Sequence, residues 1–193
     1  MTEDPRFAQL VLLACHDLRT PLATVHGFAQ TLVRMEGLDE TTVGYLDMIN
    51  TASGQIAELI DELSLGARIE SGRYDPLLGT ADTLGLAHAA AEELGTERVA
   101  VSGKGAEVEA DVAATQRAVA ALARCALRHG GLERVELTVA GEELALSPIT
   151  PASAPVLLGK ELRDLGAAVA VRAIQAQGGS VGVEGETLRV RLA

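Results

Sequence analysis

Two runs of apolar residues, separated by a short polar turn, strongly restrict how the first third of this chain can fold. In each run the apolar residues recur at alternating intervals of three and four, which places them on one face of an α-helix. The turn between the runs contains Gly37, which favours the end of one helix, and Asp39, which favours the start of the next. The pattern therefore predicts an antiparallel helical hairpin. The first run is Val11, Cys15, Leu18, Leu22, Val25, Ala29 and Leu32, and the second is Leu46, Ile49, Ser53, Ile56, Ile60 and Leu63.

A single hairpin of this kind would leave half of its apolar face in water. Two-fold pairing of two hairpins into a four-helix bundle buries that face. We therefore expect a homodimer formed through helices 1 and 2, which should run to about Met35 and from about Asp39 to about Ile69.

The segment from Cys15 to Phe28 contains the most informative side chains. His16 lies one residue away from the apolar face, about 100° round the helix, so its ring should be reachable from solvent. An acid, Asp17, follows it, and a hydroxyl, Thr20, comes one turn later. Pro21 has no N–H for the carbonyl of Asp17, which predicts that the helix bends or loosens there. An exposed imidazole next to a local distortion suits a phosphoryl group that is gained and lost.

The sequence HDLRTPL at residues 16–22 resembles the H-box of the two-component sensor histidine kinases. The resemblance implies that His16 is the phospho-acceptor and that Asp17 acts on its ring as acid or base. It also implies that Thr20 can position a water molecule for dephosphorylation of a receiver domain. Residues 1–73 as a whole resemble the dimerisation and phosphotransfer domain of that family.

Composition limits the other function classes. Of the 193 residues, 48% are hydrophobic but only 2% are aromatic, so the cores must be built from Ala, Leu and Val. The net charge of −11 argues against nucleic acid or an anionic membrane as the main partner. We see no signal peptide and no apolar run long enough to span a bilayer, and therefore expect a soluble, cytoplasmic protein. Cys15 and Cys125 show no metal-binding spacing, so we expect no metal site and assign both to the core.

Residues 74–193 have a different pattern, with short strands alternating with helices. Their order predicts an α+β sandwich in which the helices lie on one mixed sheet, so the predicted fold class is α+β with an N-terminal helical hairpin. The first predicted strands are 74–80, 98–102 and 107–110, and the last two of these are joined by a turn at 103–105. Strands 133–139 and 142–146 are predicted to form a hairpin, and the final two strands are 180–184 and 187–192. The predicted helices are 82–94, 112–128 and 160–177.

This second segment resembles the ATP-binding domain of the same kinases, most clearly at residues 165–179 and 188–192. The resemblance also shows which nucleotide-binding residues are missing. Ala121 and Cys125 stand where the family has the asparagines that hold Mg²⁺ and phosphate, and neither offers the oxygen ligand that Mg²⁺ prefers. Ser147 opens a proline-containing loop where the adenine-reading acid belongs, and Asp164 replaces a glycine beside the phosphates. We therefore expect a degenerate domain that binds no ATP and has no cofactor of its own.

Together the two resemblances imply a histidine phosphotransferase of a bacterial phosphorelay. It would carry a phosphoryl group on His16 between the aspartates of receiver domains, and the receiver would supply the Mg²⁺. Response regulators would be its partners, and a hybrid histidine kinase is a further candidate. The expected docking surface on helix 1 consists of Arg19, Thr24, Gly27 and Gln30, with His26 at its border.

Two alternatives stay open from the sequence. The first is a sensor-type kinase with a divergent nucleotide site that still phosphorylates His16 from ATP. The second is a non-catalytic regulator that binds a kinase or a response regulator. We assign His88 and His129 to the surface or the edge of the core, and we expect no binding to DNA, since no basic helix accompanies the negative charge.

Overall fold

The structure, a computed structural model, describes residues 5–35 and 37–192. The chain divides into two compact units, Met1–Arg73 and Tyr74–Ala193, and each is described here by itself. Glu36, at the start of the expected turn, lies outside the described residues.

The first unit is the predicted antiparallel hairpin of two long helices. Helix α1 covers Pro5–Val33 and helix α2 covers Glu40–Glu70. Asp39 caps α2 as expected, since its carboxylate accepts a hydrogen bond from the backbone N–H of Thr42. Helix α1 continues through Pro21 without a break, and a bend at that residue stays a prediction.

Within the hairpin the two apolar runs are only half buried. Alternate members of each run lie between the helices: Cys15 and Ala29 in α1, and Leu46, Ser53 and Ile60 in α2. The exposed members repeat every seven residues and form what we call the outer seam, while Val11 and Leu22 are half-buried. The hairpin therefore buries one of the two apolar positions of each heptad and leaves the other at its surface. The outer seam consists of Leu18, Val25, Leu32, Ile49, Ile56 and Leu63.

The second unit contains the expected layer of helices on a mixed sheet, and a second, smaller sheet. Five strands are arranged in the order β2-β4-β5-β7-β6, in which β2 is parallel to β4 and the other neighbours are antiparallel. Strands β1 and β3 form a separate antiparallel pair. The strands are β1 Leu78–Asp82, β2 Val99–Gly105, β3 Glu107–Asp111, β4 Val135–Gly141, β5 Glu143–Ser147, β6 Ser180–Glu184 and β7 Thr187–Arg191. The helices are α3 Thr83–Leu94, α4 Val112–Gly130, α5 Ala154–Leu157 and α6 Leu165–Ala176.

Small side chains allow the helices of this unit to pack closely. Helix α4 contacts both α3 and α6, and the alanines of all three helices contribute to one core with the buried face of the sheet. In β4, Val135, Leu137 and Val139 point into this core while Glu136 and Thr138 between them are exposed. A core of Ala, Val and Leu was expected from the near absence of aromatic residues. In the described part of the chain, no helix is both long enough and apolar enough to cross a membrane.

The strand predictions were wrong in two places. The first strand does not occupy 74–80 but begins at Leu78, and it pairs with β3. Residues 103–105 are not a turn, because β2 continues through them in parallel pairing with β4. Gly103 has φ +108°, and a Cβ there would lie 2.0 Å from the carbonyl oxygen of Val139. Gly103 is thus required by close contact with β4, whereas at Gly105 a Cβ would lie 2.3 Å from Oδ1 of Asp82. The predicted strands 133–139 and 142–146 are displaced by one or two residues, to β4 and β5.

The helix predicted at 160–177 begins later, at Leu165. Its cap is Asp164, whose carboxylate accepts a hydrogen bond from the N–H of Ala167. The short helix α5, which was not predicted, precedes it and ends at Leu157, two residues before Gly159, which has φ +64°. The cap at Asp164 thus sets the start of the helix five residues later than predicted.

Candidate functional site

His16 is an exposed side chain with one defined partner. It lies in α1 with 79% of its side chain exposed, and its Nδ1 is 3.1 Å from Oδ1 of Asp17, whose side chain is 68% exposed. An ionised carboxylate can only accept a hydrogen bond, so this contact requires the proton of a neutral ring to be on Nδ1. The Nε2 atom then carries the free lone pair. The geometry leaves Nε2 as a nucleophile that can be reached from solvent.

The other residues predicted for this site share the face of α1 that carries His16. They lie three, four, eight, eleven and fourteen positions after it, which brings all of them to the same side of the helix, and all are exposed. The structure therefore places on one surface the residues Arg19, Thr20, Thr24, Gly27 and Gln30.

Arg19 and Thr24 make local hydrogen bonds, whereas Gly27 leaves an open point on this surface. Arg19 donates from Nη2 to Oδ1 of Asp61 on α2 over 2.8 Å. Thr24 donates from its hydroxyl to the carbonyl of Thr20 over 3.0 Å. At Gly27 a Cβ would meet no atom within 4 Å, so this position is an open point on the surface. The surface is thus polar, exposed and held in place by α1 and α2 together.

His26 connects this surface to the interior of the hairpin. Its Nδ1 lies 2.8 Å from the hydroxyl of Ser53, a buried residue of α2, and its Nε2 lies 2.8 Å from Nε2 of Gln30. The hydroxyl of Ser53 also donates to the carbonyl of Asn50. His26 is therefore half-buried, and its hydrogen bonds join the two helices next to the surface that contains Gln30.

The four positions that depart from the nucleotide-binding pattern lie in the second unit. Ala121 and Cys125 are buried in α4, and Asp164 caps α6. Ser147 is the last residue of β5 and lines an open cavity of about 380 Å³. The cavity is lined by residues at the start of β4, at the end of β5 and at the β6–β7 turn and the start of β7, and by none of α4 or α6: Arg134, Glu136, Ser147, Pro148, Glu186 and Thr187. Ser147 therefore lines a cavity to which Cys125 and Asp164 do not contribute.

Cys125, His129 and Asp164 form a cluster that the sequence reasoning missed. One ligand atom of each (Sγ, a ring nitrogen and a carboxylate oxygen) lies within 4.8 Å of the others. His129 Nε2 is 3.1 Å from Asp164 Oδ2, with 14% of each side chain exposed. Burial, with the nearby negative charge of Asp164 adding to it, raises the pKa of the Cys125 thiol to about 12. The four-residue spacing of Cys125 and His129 on α4 was visible in the sequence, but their proximity to Asp164 was not.

Comparison of the first unit with known proteins gives a clear match. Residues 8–72 match the model of the His Kinase A (phospho-acceptor) domain family. The probable sensor histidine kinase TcrY of Mycobacterium tuberculosis is 34% identical over 65 residues, which are 34% of this chain and 14% of TcrY. The sensor histidine kinase TrcS of the same organism is 38% identical over 71 residues, which are 36% of this chain and 14% of TrcS. This chain thus spans about a seventh of the length of these relatives.

Solved structures share the fold over nearly the whole chain. Full-length ShkA, crystallised in complex with AMPPNP, matches 94% of this chain and 44% of its own with a TM-score of 0.68 and 19% identity. The histidine kinase AdeS of Acinetobacter baumannii matches 92% of this chain and 97% of its own with a TM-score of 0.58 and 16% identity. The chain therefore combines a first unit that matches the phospho-acceptor domain model with a second unit that shares its fold with these solved structures.

Proposed function

We propose that this chain, a His Kinase A phospho-acceptor domain followed by a histidine kinase-like domain, is a histidine phosphotransferase of a two-component phosphorelay. In this proposal His16 takes a phosphoryl group from the aspartyl phosphate of one receiver domain and gives it to the aspartate of another. ATP takes no part, and the receiver supplies the Mg²⁺. The observation on which the proposal depends is the state of the nucleotide-binding positions.

The contacts of His16 support its role as the acceptor. In the forward step the lone pair of Nε2 attacks the phosphorus, the bond from phosphorus to the aspartate oxygen breaks, and the carboxylate leaves with its electron pair. The ring becomes a phosphorylated imidazolium whose Nδ1–H faces Asp17 at 3.1 Å. The negative charge of Asp17 would stabilise that cation and keep Nε2 as the reacting nitrogen.

The contacts around α6 argue against a bound nucleotide. The carboxylate of Asp164 accepts the N–H of Ala167 at the start of α6, and a phosphate bound there would compete for that N–H. Ala121 and Cys125 replace oxygen ligands with a methyl group and a buried thiol. Val156 and Leu157 of α5 are fully buried, and α5 packs against both α4 and α6. We infer that α5 covers the part of α4 and α6 that a nucleotide would contact.

The outer seam supports the homodimer. It is a continuous row of exposed apolar residues on both helices, and burying it against a second copy is the arrangement that produces a four-helix bundle. In the proposed dimer, each protomer would present its own His16 surface to a receiver domain.

Two radiolabelling reactions on the purified full chain test the proposal. The first supplies Mg²⁺ with γ-labelled ATP, and the second supplies a receiver domain labelled at its aspartate. We expect label on the chain only in the second reaction. The bond should show the behaviour of a phosphoramidate, stable to alkali and lost in acid.

The controls are two histidine substitutions. His16→Ala should abolish labelling, whereas His88→Ala, which removes an exposed helical histidine of the second unit, should leave it unchanged. Label taken from ATP by the wild type and lost in His16→Ala would contradict the proposal and establish a kinase. The absence of label with a panel of receivers would favour a regulator that acts by binding alone.

An ATP-dependent kinase is the second candidate function. TcrY and TrcS are named as sensor histidine kinases, and ShkA, whose fold this chain shares, was crystallised with AMPPNP. We rank this candidate second because Asp164 already occupies the N-terminus of α6. Restoring oxygen ligands with Ala121→Asn and Cys125→Asn should not restore ATP binding unless the acid at residue 164 is also removed.

A further inference from the structure

We propose that Cys125, His129 and Asp164 form a binding site for a borderline divalent transition metal, with Zn²⁺ as the best-fitting ion. The site would stand where an ATP-binding domain holds its nucleotide, and it would bind metal without nucleotide. The proposal is independent of the phosphotransfer activity, because none of its residues belongs to the unit that contains His16.

The geometry brings together three different ligand types from two helices. Cys125 and His129 lie four residues apart on α4, which puts both side chains on the same face of that helix. Asp164 approaches this face from the start of α6. One ligand atom of each lies within 4.8 Å of the others, and Nε2 of His129 is already 3.1 Å from Oδ2 of Asp164. Zn²⁺ accepts thiolate, imidazole and carboxylate at about 2.0–2.3 Å, so small side-chain movements would complete three bonds.

The carboxylate of Asp164 is oriented by a further contact. Its Oδ1 accepts the N–H of Ala167 while its Oδ2 faces His129. Metal-binding carboxylates are commonly held in this way: one oxygen accepts a hydrogen bond, and the other binds the ion. The site therefore has an orienting contact as well as ligands.

Charge and burial favour a divalent cation here. On binding, the thiol of Cys125 releases its proton to solvent and forms a sulfur–metal bond, and neutral His129 gives the lone pair of Nε2. The thiolate and the carboxylate then balance the two positive charges of the ion, so the filled site is neutral. This matters because Cys125 is fully buried and the other two side chains are 14% exposed. That partial exposure gives the ion access from solvent.

The three ligands of this cluster favour Zn²⁺ and similar ions over the Mg²⁺ that nucleotide-binding sites hold. Mg²⁺ prefers an octahedral set of oxygen ligands, and this cluster offers one carboxylate. Thiolate and imidazole favour zinc and related ions. We therefore expect that excess Mg²⁺ will not displace the bound metal.

The test is a titration of the untagged, metal-free full chain with Co²⁺ alone, followed by displacement with Zn²⁺. We expect one Co²⁺ per chain, with a thiolate-to-cobalt charge-transfer band that Zn²⁺ abolishes. Zn²⁺ should also raise the thermal unfolding temperature of the wild type, since a ligand that binds only the folded state stabilises it.

Three variants and two matched controls connect the signal to the cluster. Cys125→Ala should remove the band, and His129→Gln and Asp164→Asn should weaken binding by about 100-fold or more, beyond the usual cost of losing an orienting contact. Asn still caps a helix, so Asp164→Asn keeps the start of α6 intact. Cys15→Ala, which removes the other buried cysteine, and His88→Gln should bind like the wild type.

A wild type that gives no charge-transfer band, or a band that survives in Cys125→Ala, would overturn the proposal. Equal affinity in the wild type and Asp164→Asn would also overturn it, and this variant decides the question if Cys125→Ala does not fold.

Discussion

The replacement of Asp17 by Asn separates two roles for the acid beside His16. The amide oxygen of Asn can still accept the Nδ1–H of His16, so the tautomer is kept while the charge is lost. Coulomb's law in water gives roughly 1.3 kcal/mol for unit charges 3.1 Å apart. Both side chains are mostly exposed, at 79% and 68%, and exposed pairs reach only about 0.2–1 kcal/mol. We therefore expect Asp17→Asn to slow phosphoryl transfer from a receiver to His16 by no more than about fivefold.

The assay is single-turnover transfer from a labelled receiver, followed by rapid quench, with the wild type and Asp17→Asn at saturating receiver. Asp17→Ala, which removes both the charge and the acceptor, should be slower than Asp17→Asn. A true general base contributes about 100- to 10,000-fold. A loss of more than about 100-fold in Asp17→Asn would therefore refute a role limited to orientation and charge.

Three further predictions concern the same unit. A side chain at residue 27 meets open space, so Gly27→Ala should raise the free energy of unfolding by up to about 1 kcal/mol, measured as a higher melting temperature. For the same reason Gly27→Arg should keep the fold, but its long side chain should block receiver docking. Ile56→Lys in the outer seam should convert a dimer into a monomer in light scattering, whereas Glu58→Lys, two residues away, should not. Asp39 has its pKa held below the usual 3.8 by hydrogen bonds from the hydroxyl and N–H of Thr42. The wild type should therefore melt at a higher temperature than Asp39→Ala, and this difference should be largest at pH values well above 3.8. The difference should shrink as the pH falls through the folded-state pKa of Asp39. An advantage that does not vary with pH would contradict this reasoning.

Much of the first unit could be predicted from sequence because its signals are local. A heptad pattern, a helix cap at Asp39 and the position of His16 relative to the apolar face all follow from helical geometry. The second unit was harder because sheet pairing joins residues that are distant in the chain. Gly103 looked like a turn residue, and only its pairing opposite Val139 shows why a strand needs glycine there. Asp164 looked like a residue inside a helix and is in fact its cap.

The sequence by itself determined the helical hairpin, the exposure of His16 and the absence of a side-chain oxygen at Ala121 and Cys125. These features depend on the type of each residue and on its spacing along the chain. In any α-helix, residues spaced three or four apart lie on the same face. Only the tertiary structure decided which half of each apolar run is buried, and which side chains surround Cys125. His129 and Asp164 are 35 residues apart in the chain, and they come within 3.1 Å because α6 begins beside the end of α4. A side chain's neighbours across two helices depend on packing, which no local pattern specifies.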